Sequence, residues 1–304
     1  MGEPGLTDSE VPDWWRARDL PGLFDVHAHF LPPPIMARVW EHFDSAGPLI
    51  GRPWPIQYRS SDDERVETLR RLGVRRFSAL PYAHKPGVAE FLNDWAADFA
   101  DSVPEALRCA TFFPEPEAAG YVAARISAGT QLFKVHVQVG DFDLRDPLLD
   151  EVWGMLAESG TPVVVHAGSG PVPNRHTGPG PLAAVLDRHP TLIPVIAHMG
   201  APEYADFLAL ADRFDGVRLD TTMAFTDFFE AEAPYPRDLL PRLRDLADRV
   251  LLGTDFPNIP YAYAHQLESL EGLGLGGDWL RAVCWGNGVD LFGTPPGGSG
   301  AVAV

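Results

Sequence analysis

The chain has 304 residues, enough for one large barrel or two ordinary domains, and its 45% hydrophobic and 11% aromatic content suits a packed core. A formal charge of −18 and a pI near 4.8 argue against nucleic acid and anionic membranes as partners, although a pocket can be cationic inside an acidic shell. The two cysteines, Cys109 and Cys284, make no disulfide framework, and neither a basic-plus-apolar leader nor a membrane-length apolar run is present, so a cytoplasmic protein is expected.

In chain order, residues 1–20 are polar apart from Trp14 and Trp15 and read as a loosely docked arm. Strands are expected at 23–30, 74–82, 107–114, 131–139, 162–168, 192–200, 217–222 and 250–257. "TPVVVHAG" and "TLIPVIAHMG" have the continuous apolar character of strands buried on both faces in a parallel sheet. Amphipathic stretches fill the gaps. Ser61-Asp62-Asp63-Glu64 is a capped start to a helix that Gly73 ends, and "AEFLNDWAADFAD", "DPLLDEVWGMLAESG", "PLAAVLDRHP", "PEYADFLALADRF" and "RDLLPRLRDLADR" carry apolar residues at helical spacing. Eight strands, each followed by a crossover helix, predict an α/β fold: a single-domain (β/α)8 TIM barrel over 21–296, with a disordered small-residue tail at 297–304. A doubly wound open sheet is the alternative, but no Gly-rich phosphate loop follows the first strand. The longest insertion, 31–60, is rich in Pro and Trp and should overhang the C-terminal mouth of the barrel.

Histidines and one aspartate stand at the ends of these strands. His27 and His29 close the first, His166 the fifth, His198 the sixth and Asp255 the eighth. Residues two apart on a strand face the same side, so His27 and His29 can offer imidazoles to one point. Taken singly, each is explained as well by a hydrogen-bonded core histidine or a turn-capping aspartate. Together, at the barrel end where chemistry is assembled, they make the nitrogen and oxygen donor set that a divalent metal needs.

The stretches "DVHAHF", "FKVHVQVGDFDLRDPLLDEVWGMLAESGTPVVVHAG", "HPTLIPVIAHMG", "VLLGTDFP" and "WGNGVDLFG" resemble the amidohydrolase superfamily. The similarity is to its amidohydrolase-2 branch, which holds both hydrolases and aminocarboxymuconate-semialdehyde decarboxylase, and it spans about 24–293. The resemblance implies that His27, His29 and His166 bind one divalent metal, zinc first, with manganese or iron as alternatives. It further implies that Asp255 completes the ligands or acts as base, and that His198 is the catalytic histidine. Some superfamily members carry a carboxylated lysine on the fourth strand that bridges two metals, and Lys134 lies on that strand, two residues before His136. A Lys134 that orients a substrate carboxylate or carbonyl is preferred here, and one paired with a buried acid is the third reading.

Other residues are expected near the mouth. Arg175 and His176, in a Gly- and Pro-rich loop, and His84 and Lys85, after the second strand, could bind an anionic substrate group, Lys85 or Arg175 serving as a carboxylate clamp; ordinary solvated loop residues are the alternative, preferred for His84. Asp220 could orient a ligand histidine or cap the next helix, and "TTMAFTDFFE", with Met223, Phe225, Phe228 and Phe229, could wall a pocket or form a subunit contact. His42, His189 and His265 sit away from strand ends and receive no role. The leading function is metal-activated hydrolysis of an amide, lactone or ester in a small organic substrate. The alternatives are non-oxidative decarboxylation of an aromatic or muconate-type acid, and a barrel that only binds a metabolite. A homodimer is the default assembly.

Overall fold

A computed structural model describes residues 5–45 and 47–295; the tail expected to be disordered, 297–304, lies outside the described residues. The buried apolar runs form parallel strands: β1 (Leu23–Asp25), β2 (Val74–Ser78), β3 (Ala106–Leu107), β4 (Cys109–Thr111), β5 (Leu132–His136), β6 (Val163–His166), β7 (Pro194–Ile196), β8 (Arg218–Asp220) and β9 (Val250–Leu251). They pair in the order β1-β2-β3 and β4-β5-β6-β7-β8-β9. Arg108 alone separates β3 from β4, so these two fill the expected third strand as one interrupted element. The far edges meet as well: Val26 N donates to Leu252 O at 2.8 Å, His29 N to Phe256 O at 2.7 Å, and Ala28 bridges Phe256. Eight strand positions thus surround one axis, the (β/α)8 TIM barrel expected from the alternation of elements.

Each helix that the periodicity and caps predict forms, and others join them, among them Pro33–Ser45, Ala118–Ser127 and Tyr263–Gly272. Ser61 accepts from Glu64 N while Glu64 reaches back to Ser61 N, and the helix Asp62–Leu72 ends at Gly73, whose φ of +83° is the left-handed closing conformation. A Cβ at Gly73 would lie 2.4 Å from Trp15 Nε1, so glycine is demanded there by the close indole as well as by the backbone. No helix of the described residues is long and apolar enough to cross a membrane.

The expectation of a loose N-terminal arm needs correction. A short helix, Val11–Arg16, inserts Trp14 and Trp15 into the core at 6% and 7% exposure. Trp15 Nε1 donates to Leu72 O at 3.1 Å and Trp14 Nε1 to Glu271 Oε2 at 2.9 Å. A helix of under two turns is too short to display a periodicity, but two indoles with satisfied N–H groups supply enough apolar area to dock it.

A cluster of buried side chains takes Leu132, Val164, Val195 and Leu251 from β5, β6, β7 and β9. Because strand side chains alternate, Lys134 and His136 stand on the same side as Leu132, and His166 on that of Val164. The polar residues therefore occupy the C-terminal half of the barrel, above a hydrocarbon floor.

Candidate active site and metal centre

Parallel register brings the strand ends together. His136 pairs with His166 across β5 and β6, and their rings stack with centroids 3.9 Å apart. His198 follows, its ring 4.6 Å from that of His166 and 5.3 Å from that of His27. His27 and His29 project from the end of β1 with ring centroids 5.1 Å apart. Gly253 makes the approach of the last strand possible: a Cβ there would lie 2.8 Å from His27 Cβ and 2.2 Å from Thr222 Oγ1.

His27, His29 and Asp255 each offer a donor atom, and these atoms lie within 4.8 Å of one another. His29 Nδ1 is 3.0 Å from Leu80 O, which can only accept, so Nδ1 carries the proton and Nε2 presents a lone pair. His27 Nδ1 is 2.8 Å from Asp220 Oδ2 and takes the same tautomer. Both Nε2 atoms face Asp255 Oδ1, at 2.9 Å from His29 and 3.6 Å from His27. Asp220 thus orients a candidate ligand rather than capping a helix, and its Oδ1 also accepts from His198 N and Thr222 N at 2.9 and 3.1 Å. Asp25, beside the cluster, anchors β1 through Thr254 Oγ1 at 2.6 Å and Tyr263 OH at 3.1 Å; burial pushes its carboxyl up to about 7.

The protonation states suit a cation. Burial pushes the imidazoles of His27 and His198 down to about 4, and holds those of His136 and His166 well below the ordinary range, so all four are neutral near pH 7. Burial alone would raise Asp255, but the imidazoles of His29, His27 and His198 around it outweigh burial and keep the carboxyl ionised. Lys134 is fully buried, with Nζ 3.2 Å from His27 Nε2. Burial lowers its ammonium to about 8 against the pull of Asp220 and Asp255. His198 Nδ1 is buried without a partner among the described residues. Neutral imidazoles, an ionised carboxylate and an orphaned ring nitrogen fit a divalent metal of borderline softness. Backbone strain marks the same place: His198 and Asp255 both adopt positive φ, +54° and +71°.

The remaining expected residues divide. His166 lines the cavity, but it sits one ring beyond the three gathered donors, with Nε2 3.2 Å from Gly170 O, which can only accept and so leaves the ring's lone pair on Nδ1. Arg175 and His176 do not line the cavity among the described residues. Arg175 Nε donates to His176 Nε2 at 2.9 Å, and His176 lies 3.8 Å from Asp143 and 3.9 Å from Asp141. Their loop folds on itself because Asn174 Oδ1 accepts from the backbone N–H of His176 and Thr177. Met223 and Phe229 form part of the cavity wall as expected of their segment, whereas Phe225 packs on Tyr235 and Phe228 receives Arg52 over its ring.

The cavity above the cluster has a volume of about 880 Å³. The insertion after β1 does overhang it, through the helix Pro33–Ser45 and Trp54. His42, given no role on sequence grounds, lies on that helix and faces the cavity, as do Arg38 on the same helix, and His84 and Lys85 after β2. His136 and Tyr82 also went unassigned; Tyr82 stands edge-on to His29, with centroids 5.5 Å apart. The signal for His136 was present, two residues after Lys134 at a strand end, whereas nothing local in 31–60 distinguishes the face of a helix that covers a mouth.

Known proteins bear on this geometry. The sequence profile of the family described as amidohydrolase matches residues 24–294. No curated protein matches the chain. Among solved structures, an uncharacterized TIM-barrel protein from Bordetella bronchiseptica superposes with a TM-score of 0.68 at 18% identity, over 88% of this chain and 98% of that one. The 5-carboxyvanillate decarboxylase from Sphingomonas paucimobilis gives 0.61 at 16% identity, over 90% and 99%. A probable 2-pyrone-4,6-dicarboxylic acid hydrolase from Acinetobacter baumannii gives 0.61 at 14% identity, over 90% and 100%.

Proposed function

The chain belongs to the amidohydrolase family, whose members are metal-dependent enzymes including hydrolases and decarboxylases, and we propose on that premise that it hydrolyses an amide, lactone or ester of an organic substrate. The observation that carries this reading is the ionised Asp255 carboxylate held 2.9 Å from His29 Nε2 and 3.6 Å from His27 Nε2, all three side chains lining the cavity. His27 and His29 through Nε2, Asp255 through Oδ1 and, in this proposal, His166 through Nδ1 would hold one divalent ion, zinc by preference. Such an ion supplies Lewis acidity, polarising a carbonyl and acidifying water enough for attack near neutral pH.

The chain's own groups do the rest. Asp255 takes the proton of the attacking water as its oxygen bonds to the carbonyl carbon. His198, neutral and with Nδ1 unpartnered, accepts that proton from Asp255 and passes it to the nitrogen or oxygen that leaves as the C–N or C–O bond breaks. Lys134, buried beside His27, donates to a substrate oxygen and orients the scissile group. Decarboxylation is the second reading, and one observation favours it: a fully buried ammonium at Lys134 can hold the carboxylate that leaves as carbon dioxide.

A panel of small lactones, amides and hydroxybenzoates, incubated with the zinc-loaded protein and analysed by mass spectrometry, separates the two. Acid plus alcohol or amine is expected; carbon dioxide from a hydroxybenzoate would overturn the first reading in favour of the second. His198→Asn should lower kcat by roughly 10²–10⁴-fold with metal content unchanged, since general acid–base steps contribute on that scale. Loss of metal from that variant would instead make His198 a ligand.

A further inference from the structure

The cavity's size and charge go beyond the reaction to the shape of what fills it. A void of on the order of 150 Å³ accepts benzene, so a single-ring substrate would leave most of this cavity of about 880 Å³ unfilled. Volumes toward 1,000 Å³ suit ligands of about drug size. The outer walls are apolar. On the helix Pro33–Ser45, residues 34, 35, 38, 39, 42 and 43 recur at helical spacing on one cavity-facing side, so Ile35, Val39 and Phe43 form a continuous hydrocarbon strip. Phe91 and Val139 stand at the opening, 56% and 45% exposed, where large apolar side chains are otherwise kept from water.

Charge is inverted relative to the molecule. The chain carries −18, yet among the described residues Asp255 is the sole carboxylate that lines the cavity, against Arg38, Lys85 and Lys134. Arg38 comes from the helix over the mouth and Lys85 from the segment after β2, and both are exposed. Neither makes an ion pair with a carboxylate of the described residues, in contrast to most arginines of the chain. They lie close enough to His84 that their charges, after burial, press its imidazole down, which places three basic groups at one edge of the opening.

We propose that the substrate is an elongated amphipathic organic anion whose carboxylate is held at the mouth between Arg38 and Lys85, with its apolar body along the 33–45 helix and its reacting group at the histidine cluster. This rests on the reaction assigned above only for the reacting end; recognition of the anionic end stands on the cavity alone. The rim is distinct from the metal centre, so anion preference should survive removal of the metal.

Isothermal titration with decanoate, decanamide and benzoate, on zinc-loaded and chelator-stripped protein, tests this. Decanoate should bind about tenfold more tightly than either comparator in both forms, the scale of one charge-assisted contact. In Arg38→Ala/Lys85→Ala that advantage over decanamide should disappear while decanamide affinity holds; both positions are exposed and without carboxylate partners, so the fold is not at risk. Equal binding of acid and amide, an unchanged double variant, or a preference that vanishes with the metal would each overturn the proposal. Should no panel compound react while the binding pattern holds, the reaction assignment falls and the anion site stands.

Discussion

Asp220 shows how one buried carboxylate sets the chemistry of its neighbours. It fixes the His27 tautomer from one oxygen and ties down the backbone of His198 and Thr222 with the other. An amide in its place keeps the shape but loses the charge that holds the Nδ1 proton. Partners behind a metal-binding histidine are worth about 10–100-fold in affinity, so Asp220→Asn should weaken zinc by that factor in competition with a chelating dye. An unchanged affinity would show that Asp220 serves the fold alone. Lys134 illustrates the opposite relation: its ammonium at 3.2 Å from His27 Nε2 competes with a cation for the same lone pair, and the metal count in purified protein separates the one-metal reading from the carboxylated-lysine version. The two cysteines lie outside all of this. Both are buried with thiols pushed up to about 12 by burial, and a thiolate-directed reagent should label neither before denaturation.

Among the secondary-structure elements, the helix Asp62–Leu72 has the most explicit start and stop. Its capping box contributes about 1 kcal/mol, so Ser61→Ala should shift the urea midpoint by a corresponding small amount. Gly73→Ala should cost more. A left-handed alanine alone carries about 1–2 kcal/mol, and the added methyl would overlap the Trp15 indole. If the two variants unfold together, the steric argument is wrong. The helix Pro33–Ser45 differs in kind. One side of it faces the cavity and contributes Arg38 and His42, so its packing is partly that of a binding surface.

The barrel as an assembled body depends on its least regular part. The N-terminal segment packs against the helix Asp62–Leu72 and, through Trp14 and Arg18, against Glu271 of the helix Tyr263–Gly272. It therefore ties the helix that leads into β2 to the helix that follows β9. Trp15→Ala should destabilise the protein by roughly 3–5 kcal/mol, the usual range for a buried indole, read as a lowered urea midpoint with little change in metal affinity. A loss of under about 1 kcal/mol, the scale of a surface substitution, would restore the loose-arm expectation. The acidic excess resides mainly outside the cavity, so the global charge says little about the ligand that the interior accepts.

Strand count, order and the polar strand ends were legible in the amino acids, because parallel strands are short apolar runs and a polar residue that closes one is conspicuous against them. The Ser61 cap and Gly73 stop were equally legible, since both are local backbone requirements. What could not be read along the chain is convergence. That His29 donates to Leu80 O, that Asp220 rather than another acid stands behind His27, and that Arg175 and His176 turn toward Asp141 and Asp143 depend on which strand end neighbours which around the barrel. The same holds for Arg38 and His42. A helix in a long insertion has a definite periodicity, but the mouth it covers exists only after residues more than two hundred positions away have closed the ring.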